Sequence, residues 1–169
     1  QERMRIDSSG RLLVGTNVAG HANADNLTLA DSGDCGITIR SSPTDTGAIY
    51  FADSTSGGGN FDGLIEYNQN SRYMRFATAQ TERLRIDSSG NVGVNTSNPQ
   101  AELHLNDATG LSRIRLSGGA IAADNFEFGQ GTTGVTNGGF EIRDVDASAT
   151  RFVIDSSGRV GIGTSSPAK

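Results

Sequence analysis

The chain has 169 residues, a mass of 17.6 kDa and a formal net charge of −5, which fits one ordinary domain or two small ones. All but one of its 14 basic residues are arginines spread singly along the chain, which excludes the basic stripe typical of nucleic-acid binding. No apolar run approaches the ~18 residues of a membrane span, and a lone cysteine excludes an intrachain disulfide. We expect that cysteine, Cys35, to be a small buried thiol.

The composition also predicts a thin core. Leu, Ile, Val and Phe make up about a fifth of the chain, 23 residues are glycine, and tryptophan is absent. So much glycine raises the entropic cost of folding, which is tolerable where many tight turns need φ > 0. We therefore expect short strands joined by turns, with little or no helix, and some burial supplied by other copies of the chain.

The first predicted element is a hairpin that recurs twice more. Residues 2–16 are ERMRIDSSGRLLVGT, residues 82–96 are ERLRIDSSGNVGVNT, and residues 150–164 are TRFVIDSSGRVGIGT. Self-similarity of this length at recurring intervals is the mark of a modular array. In each copy apolar and other residues alternate around a DSSG block, which is the period of a half-buried strand. Because the chain opens abruptly inside the first copy, we expect it to be a piece of something longer.

Each DSSG block predicts a tight turn. Its aspartate can accept hydrogen bonds from backbone N–H groups two or three residues on, and its glycine can take the left-handed conformation that follows a type I turn. Gly93 and Gly161 then stand between apolar residues, which predicts a strand closely approached by another backbone. Pro99 and Pro167 end these strands. The predicted turn residues are Asp7, Gly10, Asp87, Gly90, Asp155 and Gly158.

Further short strands are predicted between the hairpins. In chain order they contain the apolar pairs Ile37/Ile39, Ile49/Phe51, Ile65/Tyr67, Met74/Phe76, Leu103/Leu105, Ile114/Leu116, Phe126/Phe128 and Phe140/Ile142. The segments rich in Gly, Ser, Thr, Asn and Asp are predicted loops: residues 17–36, 54–63 and 129–139. The chain thus divides into residues 1–36, the end of one module plus a connector, and two complete β-modules, residues 37–99 and 100–169.

Strands this short, apolar on one side only, leave edges and apolar surface uncovered in a lone chain. Identical copies around a common axis can cover one another and share one narrow core. We therefore expect an all-β fold of short-strand hairpin modules in an elongated, intertwined homo-oligomeric fibre, resembling a β-sandwich or a triple β-helix.

The second and third hairpins, with residues 48–53 (AIYFAD), 64–67 (LIEY) and 74–76 (MRF), resemble a repeat of bacteriophage tail-fibre proteins, especially those of marine phages. The resemblance covers most of residues 37–99 and 140–169 and, more loosely, 1–16. It implies a homotrimeric, extracellular fibre of the virion that joins other tail components and contacts the host surface, where glycans are candidate ligands. In many such proteins a cleaved C-terminal intramolecular chaperone follows the repeat, and nothing in these 169 residues resembles that chaperone.

The sequence predicts no enzyme, cofactor or metal site. A glycan-cleaving tailspike would need two carboxylates about 5–9.5 Å apart, and Asp144 and Asp146 would share a face if both lay on a strand; the simpler interpretation is a solvated loop. His104, with His21 one of two histidines, could bind a metal or an anion only through three copies on a threefold axis. A carbohydrate-degrading tailspike module and a subunit of a cellular extracellular filament are the alternative functions.

Overall fold

The computed structural model is all-β, as the sequence predicts, and describes residues 3–107, 110–118, 125–132 and 135–168. Within these residues 14 strands form three sheets, of three, six and five strands in chain order. The chain divides into two compact units, Gln1–Arg40 and Ser41–Lys169. Sheet 1 belongs to the first unit, and sheets 2 and 3 belong to the second.

Sheet 1 places the first DSSG hairpin beside a strand from the segment that follows it. Its strands are β1 (Met4–Ile6), β2 (Leu12–Val14) and β3 (Leu27–Leu29). β1 pairs antiparallel with β2, and β3 pairs in parallel on the other side of β2. The predicted loop over 17–36 is therefore wrong at β3, whose signal is a single pair of alternating leucines. Glu2 of the predicted hairpin lies outside the described residues.

Sheet 2 is an antiparallel meander that ends, like sheet 1, in a parallel strand. Its strands pair in chain order, and β9 runs parallel to β8 just as β3 runs parallel to β2. A 3-10 turn, Gly57–Phe61, connects the first two strands. The predicted module boundary at residue 99 falls between β8 and β9 of this one sheet. The strands are β4 (Thr46–Phe51), β5 (Gly63–Asn68), β6 (Tyr73–Thr78), β7 (Thr81–Ile86), β8 (Val92–Val94) and β9 (Leu103–Leu105).

Sheet 3 repeats the antiparallel part of sheet 2. Each sheet has a register shift in the strand before its DSSG hairpin, between Phe76 and Ala77 in sheet 2 and between Ile142 and Arg143 in sheet 3. The repeat therefore extends beyond the hairpin to the strand that precedes it. The strands are β10 (Arg113–Leu116), β11 (Phe126–Thr132), β12 (Val135–Asp144), β13 (Ala149–Ile154) and β14 (Val160–Ile162), and all pairs are antiparallel.

Two further expectations from the sequence are wrong. Ile37 and Ile39 are exposed and lie in no strand, because no neighbouring segment supplies the backbone partners that a strand needs. The predicted loop at 129–139 is instead the end of β11 and the start of β12, apart from residues 133–134, which lie outside the described part. Its glycines permit close strand approach: a Cβ on Gly129 would lie 2.1 Å from the carbonyl oxygen of Ser112.

Ion pairs lie on the better-buried face of sheet 2, beside the buried apolar side chains of Leu64 and Ala77. Glu66 is only 5% exposed and accepts two hydrogen bonds from the Arg75 guanidinium, at 2.8 and 2.9 Å. Arg85 binds Glu82 in the same bidentate way, at 2.6 and 2.7 Å, and lies 3.7 Å from the centroid of the Tyr73 ring. Bidentate arginine–carboxylate pairs are among the strongest charge-assisted contacts in proteins.

Sheet 3 has a corresponding ion pair on the same face. Glu141 is fully buried, accepts a hydrogen bond from Arg113 at 2.9 Å and accepts another from the Thr150 hydroxyl. A buried carboxylate is tolerated only when it is paired and hydrogen-bonded. The Glu66–Arg75 and Glu141–Arg113 pairs join different strands and so favour one register, because a one-residue slip would move each charge to the other face.

We expect Glu66→Gln to destabilise the fold by about 1–3 kcal/mol, between the values for exposed and fully buried ion pairs. The substitution leaves the Arg75 guanidinium without its carboxylate. Chemical denaturation measures the loss, and Glu102→Gln, at an exposed glutamate, is the matched control. Equal stability of the two variants would show that the Glu66 pair does not hold the sheet.

Candidate assembly surface

The three DSSG turns have nearly identical hydrogen bonds. In each, one carboxylate oxygen of the aspartate accepts the backbone N–H groups of the second and fourth residues after it. The distances are 2.9 and 3.1 Å at Asp7, 2.8 and 2.9 Å at Asp87, and 2.9 Å for both bonds at Asp155. All six predicted turn residues are thus accounted for by the turns themselves, since the glycines have φ values of 79°, 88° and 78° at Gly10, Gly90 and Gly158.

The side chain of the residue four positions after each aspartate also contacts that aspartate. The sequence did not predict this contact. The Arg11 guanidinium binds the Asp7 carboxylate and holds the pKa of Asp7 below its ordinary value. Arg159 has the same effect on the pKa of Asp155. At Asp87 burial raises the pKa, but hydrogen bonds from Asn91 and from the Ser89 N–H more than offset it, so the pKa is again lowered.

A second left-handed position follows each hairpin. Gly15, Asn95 and Gly163 have φ values of 74°, 54° and 71°. Their N–H groups donate to Arg3, Arg83 and Arg151 carbonyl oxygens at 2.9, 2.9 and 3.0 Å, closing the hairpins. The signal was present in the sequence, as Gly, Asn and Gly at one position of the repeat, because these residues most readily adopt this conformation.

The close backbone approach expected at Gly93 and Gly161 comes from the chain's own next turn. A Cβ on Gly93 would lie 2.5 Å from the carbonyl oxygen of Thr96, and one on Gly161 would lie 2.8 Å from that of Thr164. The Thr-Ser-x-Pro segment after the second and third hairpins therefore folds back over one face of the strand.

The other face of sheet 2 is apolar along its whole width. Residues that are Cα partners in adjacent strands share a face, and the register places the apolar side chains in two rows across the sheet. One row is Ile49, Ile65, Phe76, Leu84, Val94 and Leu105, and the other is Tyr67, Met74, Ile86, Val92 and Leu103. We call this set apolar face 2.

Sheet 3 has the equivalent surface. Its central row is Ile114, Phe128, Ile142, Phe152 and Ile162, flanked by Leu116 with Phe126 and by Phe140 with Ile154 and Val160. We call this set apolar face 3. Sheet 1 follows the same rule, with exposed Met4, Ile6 and Leu27 on one face and buried Leu13 on the other.

Apolar side chains are normally the buried ones, but within one chain the apolar face of each sheet is the less buried face. Among the residues whose burial is described, the buried hydrophobic ones are Leu13, Leu64, Ala77 and Val153, and by register all four lie on the face opposite the apolar rows. By contrast, twelve large apolar side chains of sheets 2 and 3 are exposed on apolar faces 2 and 3 or at their strand ends. They are Ile49, Phe51, Tyr67, Phe76, Ile86, Leu103, Leu116, Phe140, Ile142, Ile154, Val160 and Ile162. Contiguous exposed apolar surface of this kind marks an interaction site.

An open cavity of about 430 Å³ lies where sheets 2 and 3 adjoin. Leu103 and Leu105 of β9 line it, together with Ile114 of β10 and Phe128 and Phe140 of the next two strands. These five residues belong to apolar faces 2 and 3, and the rest of the lining, which includes Gln100, His104 and Arg113, does not.

Asp144 and Asp146, the two candidate carboxylates for sugar cleavage, both have hydrogen-bond partners within the fold. Asp144 ends β12, accepts the Ala147 N–H at 2.9 Å and pairs with Arg151 at 2.5 Å. These contacts, the Ala147 hydrogen bond first, hold its pKa below the ordinary value. Asp146 lies in the following turn, not on the strand, and accepts two hydrogen bonds from Asn125. A general acid needs a raised pKa, and Asp144 has the opposite.

The remaining candidate residues form no cluster. His104 accepts the Gln100 N–H at 3.3 Å and His21 accepts the Asn23 N–H at 3.2 Å, both through Nδ1. Cys35 is exposed, so the expected buried thiol is wrong; its segment joins no sheet and has no core to enter. Among the described residues no three His, Cys, Asp or Glu side chains are grouped as metal ligands.

Comparison of the sequence with models of known protein families gives no match, and comparison with curated proteins gives none either. No helix in the described ranges has the length and apolar character needed to cross a membrane.

We expect Gly90→Val to cost on the order of 1–3 kcal/mol, because a β-branched residue is strained at a φ of 88°. No heavy atom lies within 4 Å of the site that a Cβ would occupy, so the loss would come from the backbone conformation alone. Gly118→Ala, at an equally open position without positive φ, is the control in chemical denaturation. An unchanged unfolding midpoint for Gly90→Val would refute the turn assignment.

Stability should also decrease in acid. The pKa values of Asp7, Asp87 and Asp155 are lower in the fold than the ordinary 3.8, so the unfolded chain binds more protons in that range. The stabilisation is full above the unfolded-state pKa and is lost as pH falls through the lower folded-state values. Thermal unfolding between about pH 6 and about pH 2.5 measures it.

Asp87→Asn should flatten this dependence, whereas Asp34→Asn, at an exposed residue outside the sheets, should not. A steeper acid loss in Asp87→Asn than in the unmodified chain would contradict the assigned role of the turn aspartates.

Proposed function

We propose that this chain is a structural and adhesive shaft segment of a bacteriophage tail fibre, built as a homotrimer in which copies cover one another's apolar faces. The observation that carries the proposal is the inverted burial: the side chains of apolar faces 2 and 3 are exposed or only half-buried in the single chain. The resemblance of the repeat to tail-fibre proteins supplies the biological setting, with other tail components as partners and a virion location outside the host cell.

Identical copies are the partners that this surface fits best. The three sheets of one chain present apolar rows of the same kind. A partner that covers them must offer apolar surface that repeats in the same way, and another copy of the chain does so. Closed cyclic symmetry then lets every copy be covered without leaving an end. The number of three copies is taken from the resemblance to tail fibres.

The energy available is sufficient. Burying the exposed half of a Leu, Ile or Phe side chain contributes about 1 kcal/mol, and ten such residues lie exposed on sheets 2 and 3 of each chain, together with Tyr67 and Val160. The total is comparable to or larger than the ~4–15 kcal/mol that an association step costs. The ion pairs of Glu66 and Glu141 lie on the opposite face, where they are already buried in the single chain.

Attachment to host glycans would use the loops. Residues 17–26, 30–45 and 52–62 lie outside regular strands and are rich in Asn, Asp, Ser, Thr and Gly, whose side chains and backbone can hydrogen-bond sugar hydroxyls. Single sites of this kind bind weakly, and presentation of three copies on one shaft raises the overall avidity.

No observation favours the tailspike alternative, because Asp144 and Asp146 both have structural hydrogen-bond partners. We propose that the segment has no catalytic activity. Release of reducing ends from host polysaccharide, abolished by Asp144→Asn, would overturn that view.

Electron microscopy of the purified chain tests the proposed function directly. Short rods of uniform length, bound to host cells or to an array of host glycans, are the expected result. Filaments of indefinite length would instead support a cellular extracellular filament.

The assembly surface can be tested with two adjacent residues of β4. Ile49 and Tyr50 are 47% and 54% exposed, but Ile49 lies on apolar face 2 and Tyr50 on the opposite face. We expect Ile49→Asp to dissociate the oligomer or to weaken it at least tenfold, because a carboxylate would be buried in the shared core. Tyr50→Asp should leave the mass measured by light scattering unchanged.

Equal effects of the two substitutions, or dissociation only by Tyr50→Asp, would show that apolar face 2 is not the interface.

A further inference from the structure

A polar, open cavity of about 490 Å³ lies on the charged face of sheet 3. Its walls are β12, the turn that leads into β13, and the segment that follows β14. One guanidinium and four hydroxyl groups line it, those of Arg143, Ser148, Thr150, Thr164 and Ser165. Neither the DSSG turns nor the apolar faces account for this group of side chains.

The Arg143 guanidinium is half-buried and has no ion-pair or hydrogen-bond partner in the part of the chain that the structure describes. The carboxylates beside it are already bound. Glu127, directly opposite Arg143 in the register, lies 3.4 Å from Arg113, and Asp144, the next residue, pairs with Arg151. Arg143 can therefore offer two parallel N–H groups to the carboxylate of a ligand.

The hydroxyl groups of the cavity also have bonding capacity left. Ser148 and Ser165 make no side-chain hydrogen bond within the described ranges. The Thr164 oxygen accepts the N–H of the residue two positions on at 3.2 Å, which leaves its own proton free to donate. Thr150 donates to Glu141 and can still accept. Each free hydroxyl can both donate and accept, as the hydroxyls of a sugar do.

Sheet 2 has the opposite charge at the same place in the repeat. Directly after the register shift, Ala77 lies opposite Glu82 in sheet 2. In sheet 3 the corresponding pair is Arg143 and Thr150. Glu82 binds Arg85 and would repel an anion, whereas the change to arginine and threonine makes the position in sheet 3 attract one.

The segment after β14 has the conformation of its counterpart in sheet 2. Thr96 accepts the Asn98 N–H at 3.2 Å, the same distance as the bond from Ser166 to Thr164. The segment lies over the charged face, because a Cβ on Gly161 would be 2.8 Å from the Thr164 carbonyl oxygen. In sheet 2 the chain continues from this point to β9, on the side of β8 away from β7. The wall of the cavity is therefore part of the repeat.

We propose that this cavity binds an acidic saccharide, with the carboxylate of a uronic acid on the Arg143 guanidinium and the ring hydroxyls on the hydroxyl side chains around it. The volume of about 490 Å³ lies within the range of small-molecule sites. A use of this site in attachment rests on the function proposed above. The binding itself does not, because every residue of the cavity lies in sheet 3 and its turns.

Titration calorimetry of the intact chain with methyl glucuronide tests the proposal. Saturable binding in the millimolar range is expected. Methyl glucoside, which has the same ring without the carboxylate, should bind at least about tenfold more weakly, and so should acetate, which has the carboxylate without the ring. Added salt should weaken the binding of methyl glucuronide, because the ion pair is partly exposed.

Arg143→Gln should reduce the affinity for methyl glucuronide at least about tenfold, because it removes the cation without breaking an ion pair of the fold. Arg143→Lys keeps the charge but not the two parallel N–H groups and should retain part of the affinity. Arg115→Gln removes an exposed arginine of the same row that does not line the cavity, and should change the affinity by less than about twofold. Unfolding midpoints check that the variants are folded.

Amide hydrogen exchange gives the location of the site. Binding should slow exchange at residues 143–150 and 163–165 and leave the equivalent residues of sheet 2, 77–82 and 95–97, unchanged.

The proposal is wrong if methyl glucuronide shows no saturable binding, if methyl glucoside or acetate binds equally well, or if Arg143→Gln has the affinity of the unmodified chain. Binding of methyl glucuronide at this cavity by a chain that attaches to no host surface would support the saccharide site and contradict the proposed function. Attachment to the host without binding of methyl glucuronide would do the reverse.

Discussion

The separation of apolar and charged side chains onto opposite faces of each sheet is the constraint on which the rest of the structure depends. Strand alternation imposes this separation, and the turn chemistry keeps it in register from one hairpin to the next. Within one chain the charged face is the better buried, with Glu66 and Glu141 paired to arginines there, while the apolar rows face outward. A protein with this arrangement has a marginal core of its own and a large surface suited to assembly.

The repeat maintains that arrangement through a small number of local devices. An aspartate satisfies two backbone N–H groups, a glycine takes the left-handed position, and an arginine or asparagine four residues on completes the turn. A second left-handed residue then closes the hairpin, and after the second and third hairpins the chain folds back over Gly93 and Gly161. Since the turn devices recur at Asp7, Asp87 and Asp155, they account for the recurrent residues as structure.

Much of this was predictable from the sequence, because alternation and turn chemistry are local. The all-β class and the apolar pairs of β4–β6 and β9–β12 follow from them. The sequence failed where a distant partner decides the outcome: Ile37 and Ile39 alternate like a strand but have no neighbour, whereas Gly129 and Gly139 resemble loop residues but allow strands to approach closely. The pairing of Arg113 with Glu141 spans 28 residues, so no local pattern could reveal it. Cys35 was expected to be buried because free cysteines usually are. It is exposed because its segment joins no sheet and has no core to enter.

The central claim is that copies of this chain cover one another's apolar faces. Sedimentation equilibrium of the unmodified protein at micromolar concentration tests it most directly. The account predicts a single species of about three times 17.6 kDa. A folded, stable species of one chain mass, with the apolar faces accessible to a hydrophobic dye and no tendency to associate, would contradict it.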